Sequence, residues 1–531
     1  MFMPLRDWVP GYRCARISAR LSFGLLGSVL LPTQAFAQEQ APLTAISANN
    51  TSVPSDPDAK PVRRLSWVTD EGKSYLIPLG EIISYELLLN QYDRNFIDRS
   101  VYGTTPSTIS HNFSHGWVVD TDPFATNQFL HPYGGSVYNG LARSAGLNYW
   151  EALGYTAAGS LLWEEAGETG APSINDQVTT TFAGSFLGEP LFRMANLLLE
   201  GGDGRPGIWR ELGAAALSPS TGFNRLMFGE RFSTIFPSHD PAYFSRLSLG
   251  VTLNSDVSSN INLNTNVTPD EPSAQQTLKR TQAAGDFSFS YGLPGKSGYT
   301  YDRPFDYFNF EFSAVSANLF ENILIRGLLY GTSYESGDNY RGIWGLYGSY
   351  DYIAPQIYRV SSTAASLGTT GELWLSRKVA LQGTALGGMG YGAAGTIHGS
   401  GERNYHYGLT PQALLSGRLT FGDRAQVELT GREYYVSGVA STEHRGAENI
   451  LRGDATFTLR VYGRGALALK YVASKRDAHY PDLATTRQSV QTVSLFFTLL
   501  GDTGLGAVDW RNADAGGSAQ PHEGEPTDRL D

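Results

Sequence analysis

Between Asn127 and Arg193 the chain gathers His131, Glu164, Glu165, Glu168, Asp176 and Glu189 with two arginines, Arg143 and Arg193. One imidazole and three carboxylates, His131 with Glu164, Glu168 and Asp176, make a donor set that suits a hard or borderline divalent metal. Glu164 and Glu168 stand four residues apart, so on a helix they share a face and can serve one ligand. Paired carboxylates also suit general acid–base chemistry, as in a hydrolase acting on lipid or envelope glycan. A serine nucleophile is not evident, because Ser114-His115 in "FSHG" is a lone pair with no triad pattern around it. The same residues can equally form a polar core. Arg143, Tyr138, Glu189 and Arg193 are then its structural members, and the arginines are partners for Glu164, Glu165, Glu168, Asp176 or Glu189. On the core reading no cofactor is bound; on the site reading the cofactor is a divalent metal.

The elements that must carry these groups read as helices. Pro132 sits at a plausible helix start. Tyr138, Ala142, Gly146 and Trp150 repeat every four residues, as do Asp176, Thr180, Gly184 and Gly188, and each set predicts one helical face. Ser173 or Asn175 can cap the helix that holds Asp176. Small residues on such faces let helix backbones approach closely. A carboxylate on a close-packed face loses water, so it must be paired, hydrogen-bonded or metal-bound.

The succession Asn127, His131-Pro132-Tyr133, Gly135, Tyr138, Ala142-Arg143, Gly146 and Trp150 begins a longer pattern. It continues through Ser160, Trp163-Glu164, Gly167-Glu168, Pro172-Ser173 and Asn175-Asp176, and ends with Thr181, Gly184, Gly188-Glu189 and Phe192-Arg193. In order and spacing this resembles the bacterial family of the domain of unknown function 3943, over roughly residues 110–200. The resemblance implies a bacterial envelope protein and assigns no activity.

The C-terminal half has a different grammar. "RLSLGVTLN" (246–254), "DFSFSYG" (286–292), "YFNFEFS" (307–313) and "QTVSLFFTLL" (491–500) alternate apolar with small or polar residues, the period of a strand. Tight turns at 376–378, 422–424 and 463–465 alternate with long polar loops near 254–284, 395–406, 437–448 and 475–487. Short turns at one end and long loops at the other mark an outer-membrane barrel, and lipid requires that barrel to close. The expectation is a mainly β protein: a transmembrane antiparallel β-barrel of about twelve strands over 243–500. A small, mostly helical domain over 63–225 precedes it, as a plug in the lumen or a periplasmic cap. Strand charges such as Asp286, Glu311, Arg326, Glu372, Arg418, Glu428, Arg432 and Arg460 are expected in the lumen. The polar acidic segment 501–531 reads as a disordered tail.

The N-terminus reads as an export signal over 1–37: basic Arg13, Arg16 and Arg20, the short apolar "LSFGLLGSVLL", then Ala35-Phe36-Ala37 as cleavage site. Residues 38–62 read as a flexible linker. The single cysteine, Cys14, lies in the signal, so disulfides and thiolate metal sites are excluded. The formal charge of −11 argues against nucleic acid as a partner. The expected location is the bacterial outer membrane. The expected partners are outer-membrane lipid and the barrel-assembly and periplasmic chaperone machinery. The role is structural or transport-related with unknown substrate; the alternative is the hydrolase above.

Overall fold

The period-two segments become twelve strands in a computed structural model that describes residues 63–120, 122–201, 206–260, 280–355, 357–396, 405–438, 446–480 and 485–511. The export signal, the linker and the chain beyond Arg511 lie outside the described residues. The strands are β1 Tyr243–Ser259, β2 Thr281–Tyr291, β3 Phe308–Val315, β4 Asn318–Ser336, β5 Tyr340–Ile353 and β6 Tyr358–Trp374, followed by β7 Val379–Thr396, β8 Tyr405–Phe421, β9 Ala425–Ser437, β10 Ala447–Tyr462, β11 Gly465–His479 and β12 Thr486–Leu500. Each pairs antiparallel with its sequence neighbours, and β1 closes the barrel on β12, with Leu247 opposite Leu499 and Val251 opposite Leu495. The turns after β8 and β10 use Gly422 and Gly463 at φ 55° and 53°, a left-handed backbone that glycine adopts without strain.

Bonds between strands far apart in the sheet identify the lumen face. Arg246 on β1 pairs with Glu428 on β9, Arg452 Nη1 donates to Asn322 Oδ1 at 3.0 Å, and the Tyr434 hydroxyl donates to Asp351 at 2.8 Å. Arg432 pairs with Glu311 at 3.5 Å and with Asp454 at 3.1 Å, and Tyr358 meets Ser474 across the barrel. The lumen is therefore filled by the strands' own ion pairs and hydrogen bonds, around a residual cavity of about 90 Å³. Arg460 stands apart from this network and pairs with Asp423 at a turn. Alternation turns the intervening residues outward. Leu249, Val251, Leu415, Leu429, Phe457, Leu495 and Phe497 are exposed on that outer wall.

The helical domain contains α1 Leu76–Phe96, α2 Arg99–Tyr102, α3 Pro106–Asn112, α4 His131–Ser144, α5 Tyr149–Leu162, α6 Ile174–Val178, α7 Gly184–Glu200, α8 Ile208–Leu217 and α9 Pro219–Phe228. It packs against the outer wall. Phe308 and Phe310 alternate with the lumen residues Asn309 and Glu311, so they point outward, yet both are buried. They share one apolar core with Phe129, Tyr149, Phe186 and Leu187 of the domain and with Ile323, Ile325, Tyr350 and Tyr352 of the wall. Among the described residues the helices thus lie on the outer wall, and are neither the plug expected in the lumen nor the periplasmic cap. The lumen charges satisfy one another, while the outer aromatics of β2–β5 offer the helices an apolar bed.

Two local expectations also change. The face drawn through Tyr138, Ala142, Gly146 and Trp150 is broken, because the chain turns at Gly146 (φ 97°) and Trp150 belongs to α5. Segment 501–511 folds onto the barrel base instead of trailing away: Leu505 and Trp510 are buried, and Trp510 Nε1 donates to Asp338 O at 3.1 Å. The close approach predicted from small residues does occur. A Cβ on Gly184 would lie 2.6 Å from Gly135 Cα, so α4 and α7 touch backbone to backbone there.

Candidate functional site

Three wide π-type turns interrupt the helices, at Thr126–Leu130, Trp163–Gly167 and Thr179–Ala183. Such turns shift the helical register and often accompany functional sites. Here the first ends at His131, the second carries Glu164, and the third follows α6, which carries Asp176. Ser173 caps α6, its side chain accepting from the Asp176 N–H. Its own N–H donates to Glu164 Oε2 at 2.8 Å, so one serine positions both acids.

The ligand atoms of His131, Glu164 and Asp176 lie within 4.8 Å of one another. His131 Nε2 is 3.8 Å from Asp176 Oδ2, and Nδ1 shares a hydrogen bond of 3.2 Å with the Thr180 hydroxyl. Glu164 and Asp176 are buried and His131 is half-buried. Glu168 departs from the expected set. Its Oε1 accepts from the Trp163 indole at 2.9 Å, and it lines the adjoining cavity of about 140 Å³ with His131, Glu164 and Ser160. The Ser160 hydroxyl is buried there without a hydrogen-bond partner.

The arginines serve a separate centre. Arg143 Nε donates to Glu189 Oε2 at 2.6 Å, and Arg193 Nε donates to Glu189 Oε1 at 2.8 Å. Arg193 reaches on to Asp306 at 2.9 Å, in the loop between β2 and β3. Among the described residues, neither guanidinium bonds to Glu164, Glu168 or Asp176. Tyr138 bonds to neither Glu189 nor its arginines: its hydroxyl donates to Glu86, and it lines the cavity beside His131 and Glu164.

The electrostatics of the two centres run in opposite directions. Burial alone would raise the Glu189 carboxyl, but Arg143 and Arg193 hold it below the usual range. Burial, then the Asp176 charge, pushes Glu164 up, and burial, then Glu164, pushes Glu168 up, with His131 opposing both. Burial, then Asp120, raises Asp176 well above its ordinary value. The His131 centre thus holds carboxylates that want a proton or a cation; the Glu189 centre is compensated from within.

Sequence reasoning missed the residues that bond to the back of this centre. Asp120 Oδ1 accepts from Asn175 Nδ2 at 2.9 Å and also from Asn127. Asn127 and Asn175 then reach the wall: their amides donate to Tyr405 at 3.0 Å and Tyr407 at 2.9 Å. Both asparagines stand in the motif succession, which was the available signal. Nothing local marks Asp120, Tyr405 or Tyr407. The Ser114-His115 pair is not a catalytic arrangement, since Ser114 Oγ donates to His111 O at 2.8 Å.

Residues 116–220 match the model of a family described as Domain of unknown function (DUF3943). The match includes all members of both centres from Asp120 to Arg193. No curated protein matches the chain. Among solved structures, the outer membrane channel DcaP of Acinetobacter baumannii is 8% identical at TM-score 0.21, over 49% of this chain and 95% of that one. The toluene transporter TodX of Pseudomonas putida is 11% identical at TM-score 0.18, over 50% and 91%. The anion-selective porin from Comamonas acidovorans is 9% identical at TM-score 0.17, over 48% and 98%. At these scores the likenesses bear neither on strand number nor on activity.

Proposed function

We propose that the chain is a bacterial outer-membrane β-barrel, closed to general diffusion, that mounts a helical domain with a buried His–carboxylate centre in a structural or transport-related role. The observation that carries this is the two-faced wall. Leucine, valine and phenylalanine stand exposed outside, while arginines and acids pair inside a sheet with no free edge. A barrel in water has no reason to invert its faces in this way; a barrel in lipid must. The filled lumen argues against an open diffusion pore.

A bound divalent cation at His131, Glu164 and Asp176 is the second part of the reading, favoured by the charge imbalance. Ligands on opposite sides of a calcium-sized ion stand about 4.6–5.2 Å apart, and these three side chains already lie within 4.8 Å. The hydrolase alternative gains nothing from the Ser114 geometry.

Membrane fractionation tests the first part. Recovery with outer membranes and heat-modifiable migration are expected, with no porin-like conductance in planar bilayers; recovery in the soluble periplasm overturns it. Metal analysis of the purified chain tests the second, with bound divalent metal expected and its loss in Glu164→Gln.

A further inference from the structure

We infer that the helical domain is itself embedded in the bilayer beside the barrel, with its apolar outer faces against lipid acyl chains and its polar faces turned inward. This rests on the membrane reading of the barrel. What points to lipid is a reversal of the usual helix pattern. In a water-soluble helix the apolar stripe is buried and the polar face exposed. In α1 the buried set includes Glu86, Asn90 and Asp93, while Leu76, Leu79, Ile83, Leu87 and Leu88 are exposed. From Leu76 to Leu88 no exposed position carries a charge, and the exposed Ser84 returns its hydroxyl to Gly80 O at 2.7 Å.

Other helices repeat the inversion. α5 exposes Trp150, Gly154, Ala158 and Leu161, spaced to form one stripe, and buries Thr156 and Ser160. α9 exposes Phe223, Leu226 and Met227 and buries Ser220, Thr221 and Asn224. The exposed faces therefore mirror the barrel wall, apolar outward and polar inward.

The placement of the domain makes the two surfaces continuous. Asn175 reaches Tyr407 near the start of β8, at the long-loop end. Arg193 reaches Asp306, in the loop joining β2 to β3 at the opposite end. The domain thus runs along the height of the wall, and any lipid that surrounds Leu415 or Leu429 also meets it. Among the described residues no helix is long and apolar enough to cross a membrane. None has to, because each offers lipid only one face and keeps its polar residues against its neighbours.

Site-directed spin labelling decides the matter. The full chain, with Cys14→Ser, is reconstituted into phospholipid vesicles with a nitroxide at Leu87→Cys, Leu226→Cys or, as barrel reference, Leu415→Cys. Collisions with oxygen, which concentrates in lipid, are compared with collisions with a water-soluble nickel chelate. Positions 87 and 226 are expected to match 415, with oxygen relaxation high and chelate relaxation lost. Chelate access at 87 and 226 with 415 still lipid-like overturns the inference and leaves the barrel reading intact. Chelate access at all three overturns both. Protection of 87 and 226 from both reagents overturns lipid contact in favour of a protein covering that face.

Discussion

The Asn175 side-chain amide donates to the Tyr407 hydroxyl at 2.9 Å, so a helix that holds Asp176 is bonded directly to the outer wall of β8. Removing that hydroxyl leaves the amide with only its acidic acceptors. Tyr407→Phe is expected to loosen docking by about 1 kcal/mol. The measurement is protease cleavage within 63–232 as temperature rises, set beside heat-modifiable migration of the barrel. Earlier cleavage with unchanged migration is the expected pair of results; unaltered cleavage would mean that this bond does not hold the domain.

The contact between α4 and α7 predicts a contrast between adjacent glycines. A Cβ on Gly135 would fall 2.0 Å from Thr180 O, whereas one on Gly134 meets nothing within 4 Å. Gly135→Ala should destabilise the domain by about 1–3 kcal/mol or more through forced separation of the helices. Gly134→Ala should be neutral, or gain up to about 1 kcal/mol from helix propensity. Thermal protease resistance of the two variants checks both values, and equal behaviour contradicts the backbone contact.

The two charged centres should separate under the same chemical change. Glu189→Gln leaves Arg143 and Arg193 buried without their shared carboxylate, at a cost of about 3–5 kcal/mol. Glu164→Gln removes a buried carboxylate that no arginine balances, so in chelator the folded domain should keep its stability, and without chelator it should lose the bound metal and only the stability that metal supplied. Protease resistance and metal content, measured on both variants, give opposite patterns. Collapse of the Glu164 variant would assign that residue to the structural core.

The lumen network predicts a conductance change. Arg432 holds Glu311 and Asp454 together inside the barrel. Arg432→Ser leaves Glu311 with Arg326 and Asp454 with Arg452, so the gap it opens carries one more net negative charge and should give a small cation-selective current where the parent chain gives none. Reversal potentials across a salt gradient in planar bilayers read the selectivity. Anion selectivity would mean that other lumen groups set the field.

The barrel was legible because alternation and turn spacing carry it. The alternating segment at 246–254 lies within Tyr243–Ser259, and the one at 491–500 lies within Thr486–Leu500. Alternation does not distinguish an outward aromatic that meets lipid from one that meets another domain. Phe308 and Phe310 therefore gave no sign that helices cover them. The centre was legible in part. His131, Glu164 and Asp176 converge, but the i, i+4 argument placed Glu168 with them on an assumed regular helix. The wide turn Trp163–Gly167 breaks that geometry and sends Glu168 to the Trp163 indole. The arginine partners could not be assigned because five acids competed for them, and only the fold brings Glu189 between the two.

The helices cover the aromatic outer residues of β2–β5 and reach the start of β8, while Leu249 on β1, Leu451 on β10, Leu467 on β11 and Leu495 on β12 stay bare. A plain cylinder presents one aspect from every azimuth. This molecule has a front and a back: one flank of bare sheet that contains the β1–β12 seam, and one clad in helix. Neighbours in a crowded leaflet would meet unlike flanks according to their approach. On the membrane reading proposed above, the fold gives the chain a heading within the membrane plane as well as an orientation across it.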